Sequence, residues 1–127
     1  MSFVFDVASI FFGGAFVEAA LFNVCAGLIA MLAAAVTEAY SYFTRLPRDS
    51  SARRLARWHA LVNLAAMALF VTSLALRWSA RGAPATPRAP FVLSALGVAV
   101  LAVASYLGGL VDYEAAATTP RRSPDAR

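Results

Sequence analysis

"APFVLSALGVAVLAVASYLGGLV", residues 89–111, runs for 23 positions without a charged side chain. As an α-helix it would be about 35 Å long, more than the roughly 30 Å hydrocarbon core of a bilayer. Its one proline, Pro90, stands at the start, where a helix tolerates proline because the first amides have no intrahelical partner. This stretch therefore predicts a membrane-spanning helix. Two more uncharged runs accompany it, 19 residues over 19–37 and 17 over 60–76. The shorter of the two can still span if Arg57 and Arg77 reach outward from its ends. The whole chain has the same character: 61% of its 127 residues are apolar, against about 45–50% in soluble domains, and its mean hydropathy is +0.68.

A fourth uncharged run, 7–17, has 11 residues and is too short to span. Asp6 ahead of it, with no basic residue, excludes a secretory signal. Gly13-Gly14 separates it from the first spanning run, so residues 3–12 read as a half-helix or interfacial segment. Leu46-Pro47 ends the first spanning helix, and Asp49 or Ser50 caps the next. Residues 79–90, with three prolines and a glycine, form a turn-rich linker. The expected fold is an all-α integral membrane bundle in one domain, residues 1–113. Its spans run over about 16–43, 54–78 and 90–113, and the polar residues 114–127 are expected to form a disordered cytoplasmic tail.

The formal charge is +4, from 11 arginines, no lysine and seven acids. Position decides its meaning. Arg45, Arg48, Arg53, Arg54 and Arg57 lie between the first two spans, and Arg121, Arg122 and Arg127 in the tail. Only Arg77, Arg81 and Arg88 lie at the opposite end. Eight arginines against three place the first loop and the tail in the cytoplasm of a bacterial inner membrane. Such flanking charge needs no polyanion, and no nucleic-acid motif is present. The five loop arginines are candidates for contact with anionic lipid headgroups or an acidic partner. The lone Cys25 forms no intramolecular disulfide.

Each span carries one face of small and polar residues, spaced by three or four. In the first the face is Asn23, Gly27, Ala30, Ala34 and Glu38; in the second His59, Asn63, Ala66, Phe70, Ser73 and Arg77; in the third Ser94, Gly97, Leu101, Ser105, Gly108 and Asp112. Small residues let membrane helices approach closely, so Gly27, Gly97 and Gly108 are the expected packing positions, with all three faces turned inward. Antiparallel pairing of the first two spans brings Glu38 to the depth of His59, the only histidine. The expected interhelical polar cluster is Glu38, His59, Asn63 and Asp112.

The stretches "TRLPRDSSARRLARWHALVNLAAMALF" and "ASYLGGLVDY" resemble a family of predicted bacterial membrane proteins with a domain of unknown function. Its members have four membrane helices, some with a fused Rieske domain. Phe5-Asp6, Ala26-Gly27, Leu46-Pro47, residues 51–54, His59-Ala60 with Asn63, and Leu107-Gly108-Gly109 match its pattern in order. The pattern's first helix opens with His-Pro, and this chain begins where that helix is ending. The resemblance implies an inner-membrane bundle with no established activity, and a groove in place of most of the first helix.

No nucleophile with a base, zinc spacing or phosphate-binding glycine loop occurs, so no enzyme activity, catalytic residue or metal site is expected. The expected role is an accessory or assembly subunit of a larger membrane complex, in contact with the lipid bilayer and with other membrane subunits, and holding no cofactor. The alternative is a heme b electron-transfer subunit using His59 as ligand.

Overall fold

The computed structural model describes residues 2–12, 14–81 and 87–118. They form four helices: α1 (Ser2–Phe12), α2 (Gly14–Thr44), α3 (Ser51–Ser79) and α4 (Arg88–Thr118). No strand occurs among the described residues. α2, α3 and α4 are each long and apolar enough to cross a membrane. α1, with 11 residues, is about 16 Å long and is not.

Local chemistry sets the boundaries. α2 ends where the Thr44 hydroxyl donates to Tyr40 O and Arg45 N donates to Ser41 O, just before Pro47. Ser50 caps α3 by accepting from Arg53 N at 3.1 Å, which settles the choice between Asp49 and Ser50. Ala80 N closes the last turn of α3 on Leu76 O and Arg77 O. α4 opens with Phe91 N donating to Pro87 O and holds Pro90 within its first turn, where no amide is missed. Its far end departs from the expected bounds. Residues 114–118 continue the helix, because Glu, Ala, Ala and Ala are good helix formers and Glu114 accepts a 2.6 Å hydrogen bond from the Ser51 hydroxyl. The rest of the expected tail, residues 119–127, lies outside the described residues.

α3 and α4 form the tightest pair. Their shared core is made of small side chains, with Ala52, Ala66, Ser73, Ser94 and Ala104 buried. α1 lies back along the start of α2. Phe5 and Phe16 are eleven residues apart in sequence, which would separate them by about 16 Å along a straight helix, yet their ring centroids are 6.3 Å apart. This hairpin buries Val17, Ala20, Leu21 and Val24 of α2, with Phe12 also on Phe16 at 5.7 Å. α1 further packs on α4, and α2 on α3.

α2 departs from expectation in the direction of its small-residue face. Gly27, Ala30 and Ala34 are exposed, and a Cβ at Gly27 would meet nothing within 4 Å. α1 covers the first three turns of α2, where Val17, Ala20, Leu21 and Val24 are buried, and not the face beyond them. Below it α2 touches only α3, near the α2–α3 loop, through Glu38 on His59 and Tyr42 on Arg53.

Candidate functional site

Two polar clusters mark the two ends of the bundle. At the α2–α3 loop end, His59 is half-buried on α3 and reaches both other spans. Its Nδ1 lies 2.7 Å from Ala104 O of α4. A carbonyl oxygen only accepts, so Nδ1 carries a proton. The other nitrogen, Nε2, is 2.9 Å from Asn63 Nδ2 and 3.1 Å from Glu38 Oε1. These two partners ask for opposite states. A bare Nε2 accepts the Asn63 amide N–H; a protonated Nε2 donates to the Glu38 carboxylate. One imidazole thus joins three helices, with its second nitrogen placed between an amide and an acid. The side chains are unequally wet: His59 is 16% exposed and Glu38 45%.

Gly108 makes this arrangement possible. A Cβ there would stand 3.0 Å from His59 Cε1, so any side chain would push the ring away from the Ala104 carbonyl. Gly97 does the same for Phe70, whose ring atoms would lie 2.9–3.1 Å from its Cβ. Asp112 does not join the cluster. It is exposed, and its side chain makes no hydrogen bond or ion pair among the described residues. It lies two turns, about 12 Å, beyond Ala104 along α4, and the Ala104 carbonyl takes the place expected for it.

The second cluster, at the α3–α4 loop end, is more deeply buried, and the helix faces alone do not predict it. Arg77 is not turned outward. Its guanidinium meets the Asp6 carboxylate in a two-pronged pair, Nη1 to Oδ1 and Nη2 to Oδ2, both 2.6 Å. The side chains are 1% and 0% exposed. Arg77 Nη2 also donates to Ser94 Oγ at 3.0 Å and Nε to Ser73 Oγ at 3.2 Å. Ser73 in turn donates to Pro90 O at 2.9 Å and lies 3.0 Å from Ser94 Oγ. With Ser73 donating to the carbonyl, the remaining Ser73–Ser94 bond must run from the Ser94 hydroxyl. The Ser9 hydroxyl donates to Asp6 O at 2.7 Å. No buried side-chain nitrogen or oxygen among the described residues lacks a partner. α1 and α3 do not pack backbone to backbone; the long arginine side chain bridges them.

The model of a family described as predicted membrane protein (DUF2231) matches residues 1–121. The chain belongs to that family. No curated protein and no solved structure matches it. Both polar clusters of this DUF2231 protein fall within the matched residues, as do all three helices able to span a membrane.

The arginines of the DUF2231 chain divide by location. Arg53 is held in the loop, donating to Leu46 O at 3.2 Å and lying 4.3 Å over the Tyr42 ring. Arg45, Arg48, Arg54 and Arg57 are exposed, and their side chains form no hydrogen bond or ion pair among the described residues. Arg81 stacks on Trp78 at 3.0 Å. No group of three or more His, Cys, Asp or Glu side chains among the described residues could hold a metal ion. A signal for the buried pair is nonetheless present in the sequence. Arg77 ends the polar face of α3 and Ser94 begins that of α4, so a charge at that junction needs an acid, and Asp6 and Glu18 are the acids at that end. Glu18 is exposed.

Proposed function

We propose that this membrane protein is an accessory or assembly subunit of a larger complex in a bacterial inner membrane, and that it seats a membrane helix of its partner on the open face of α2. The observation that carries the reading is the exposed run Gly27, Ala30 and Ala34, bounded by the α1 hairpin on one side and Glu38 on the other. Small residues permit close backbone approach, the main source of helix association in lipid. Beyond the turns that α1 covers, this face is exposed among the described residues and offers a partner's helix a close approach.

A photoreactive side chain at Ala30 or Ala34 is expected to capture a protein adduct in native membranes. The same probe at Val71, an exposed position on α3, is expected to capture none. Gly27→Leu should abolish the adduct without lowering the melting temperature, because nothing lies within 4 Å to obstruct it. Equal capture at Ala34 and Val71 would count against the proposal.

The excess of arginines orients the bundle with the α2–α3 loop in the cytoplasm. In a Cys25→Ser background, an impermeant thiol reagent should label Ala83→Cys but not Ser50→Cys in intact cells. The reverse pattern would invert the assignment. A heme held by His59 is less well supported by the contacts. With Nδ1 on Ala104, the ligand would have to be Nε2, withdrawn from both Asn63 and Glu38. This sequence offers no second axial imidazole, since it has one histidine.

A further inference from the structure

We propose that the outward face of α3 beside the α2–α3 loop, formed by Arg54, Arg57, Trp58 and Leu61, binds an anionic phospholipid of the surrounding bilayer. The four residues stand at i, i+3, i+4 and i+7 and so share one face, and all four are exposed. Depth fits the components of a lipid. α3 has 29 residues, about 44 Å, and overhangs a 30 Å hydrocarbon core by roughly 7 Å, or four to five residues, at each end. Arg54 therefore stands at headgroup level, and Arg57, one turn further along α3, reaches that level by extending its side chain outward. Trp58 lies at the boundary where indole rings settle, and Leu61 and Leu64, both exposed, continue along the acyl region.

Charge and availability point the same way. Residues 45–57 hold five arginines and one acid, Asp49, a net of +4. Arg53 is engaged within the loop, but Arg54 and Arg57 are uncommitted among the described residues. One helical turn separates them, about 5–6 Å, so two guanidinium forks can close on one phosphodiester. The other end of α3 offers no such pair: Arg77 is buried on Asp6 and Arg81 lies on Trp78. This site is independent of the partner helix proposed for α2.

The test is native mass spectrometry of the purified full chain in detergent, titrated with phosphatidylglycerol or phosphatidylcholine. The parent should retain phosphatidylglycerol in preference. Loss of about 1 kcal/mol per arginine makes Arg54→Ala/Arg57→Ala about thirtyfold weaker for it, with unchanged helix content and melting. Arg45→Ala/Arg48→Ala, which removes equal charge, should weaken binding much less. Trp58→Ala should weaken it for both lipids. Inorganic phosphate in excess should not displace the lipid. Equal losses from the two double variants would replace the site by a diffuse charge effect. No preference between the lipids, or displacement by phosphate, would overturn the proposal.

Discussion

Arg77→Leu is expected to destabilise the bundle by about 3–5 kcal/mol, the usual cost of stranding one member of a buried ion pair. Asp6→Leu should cost a similar amount. Either change removes the two-pronged pair from a charge more than nine-tenths buried, and Arg77→Leu also strips a donor from both Ser73 and Ser94. The double variant Asp6→Leu/Arg77→Leu should be less harmful than either single change, because apolar replacement of a whole buried pair is often neutral. Reversible unfolding in mixed micelles reads all three. A cost under about 1 kcal/mol for both single variants would mean the pair is hydrated and worth no more than a surface bridge. The distances argue otherwise, since a two-pronged 2.6 Å contact leaves no place for water between the groups.

Gly108 and Gly109 are adjacent, share a chemistry and should respond oppositely. Gly108→Ala drives a methyl to within 3.0 Å of His59 Cε1. The ring cannot slide aside cheaply, because Ala104 O holds one nitrogen and Asn63 and Glu38 face the other. Overpacking of this kind costs about 1–3 kcal/mol, and Gly108→Leu should exceed that. At Gly109 a Cβ meets nothing within 4 Å, so Gly109→Ala should gain up to about 1 kcal/mol of helix propensity. His59→Leu should cost less than Gly108→Leu, since an interhelical hydrogen bond in a membrane averages about 0.6 kcal/mol. His59→Gln should recover part of that loss. A Gly108→Ala variant as stable as the parent would show that the ring is not held where the geometry puts it.

How far the sequence can be read depends on whether the relevant partners are neighbours in chain or only in space. The three spans are plain from uncharged runs, because length and charge suffice to identify them. Glu38, His59 and Asn63 are also legible: Asn63 follows His59 by one turn, and a short loop fixes the relative depth of α2 and α3. Asp112 misleads because helical spacing gives a face but not a distance along it, and the His59 ring meets α4 two turns earlier. The face read for α4 also drifts. Ala104 is buried while Ser105, one position on, is exposed and donates to Leu101 O of its own helix. The inward turn of the Gly27 face fails for a different reason. Periodicity shows which residues share a stripe, and only a neighbour decides whether the stripe is covered. Asp6 on Arg77 is hardest, since the pair depends on α1 folding back along α2, a reversal that no local pattern specifies.

The order of synthesis gives the Asp6–Arg77 contact a place in time. The two residues are 71 positions apart, so the carboxylate leaves the ribosome before its guanidinium exists. At about 5–20 residues per second the interval is roughly 4–14 s. Through that interval Asp6 lacks Arg77, and an ionised carboxylate isolated in hydrocarbon neutralises instead of staying charged. The charged pair that joins α1 to α3 therefore forms only after α3 has been made. The packing of α1 on α2 can precede it, since those two helices are neighbours in the chain.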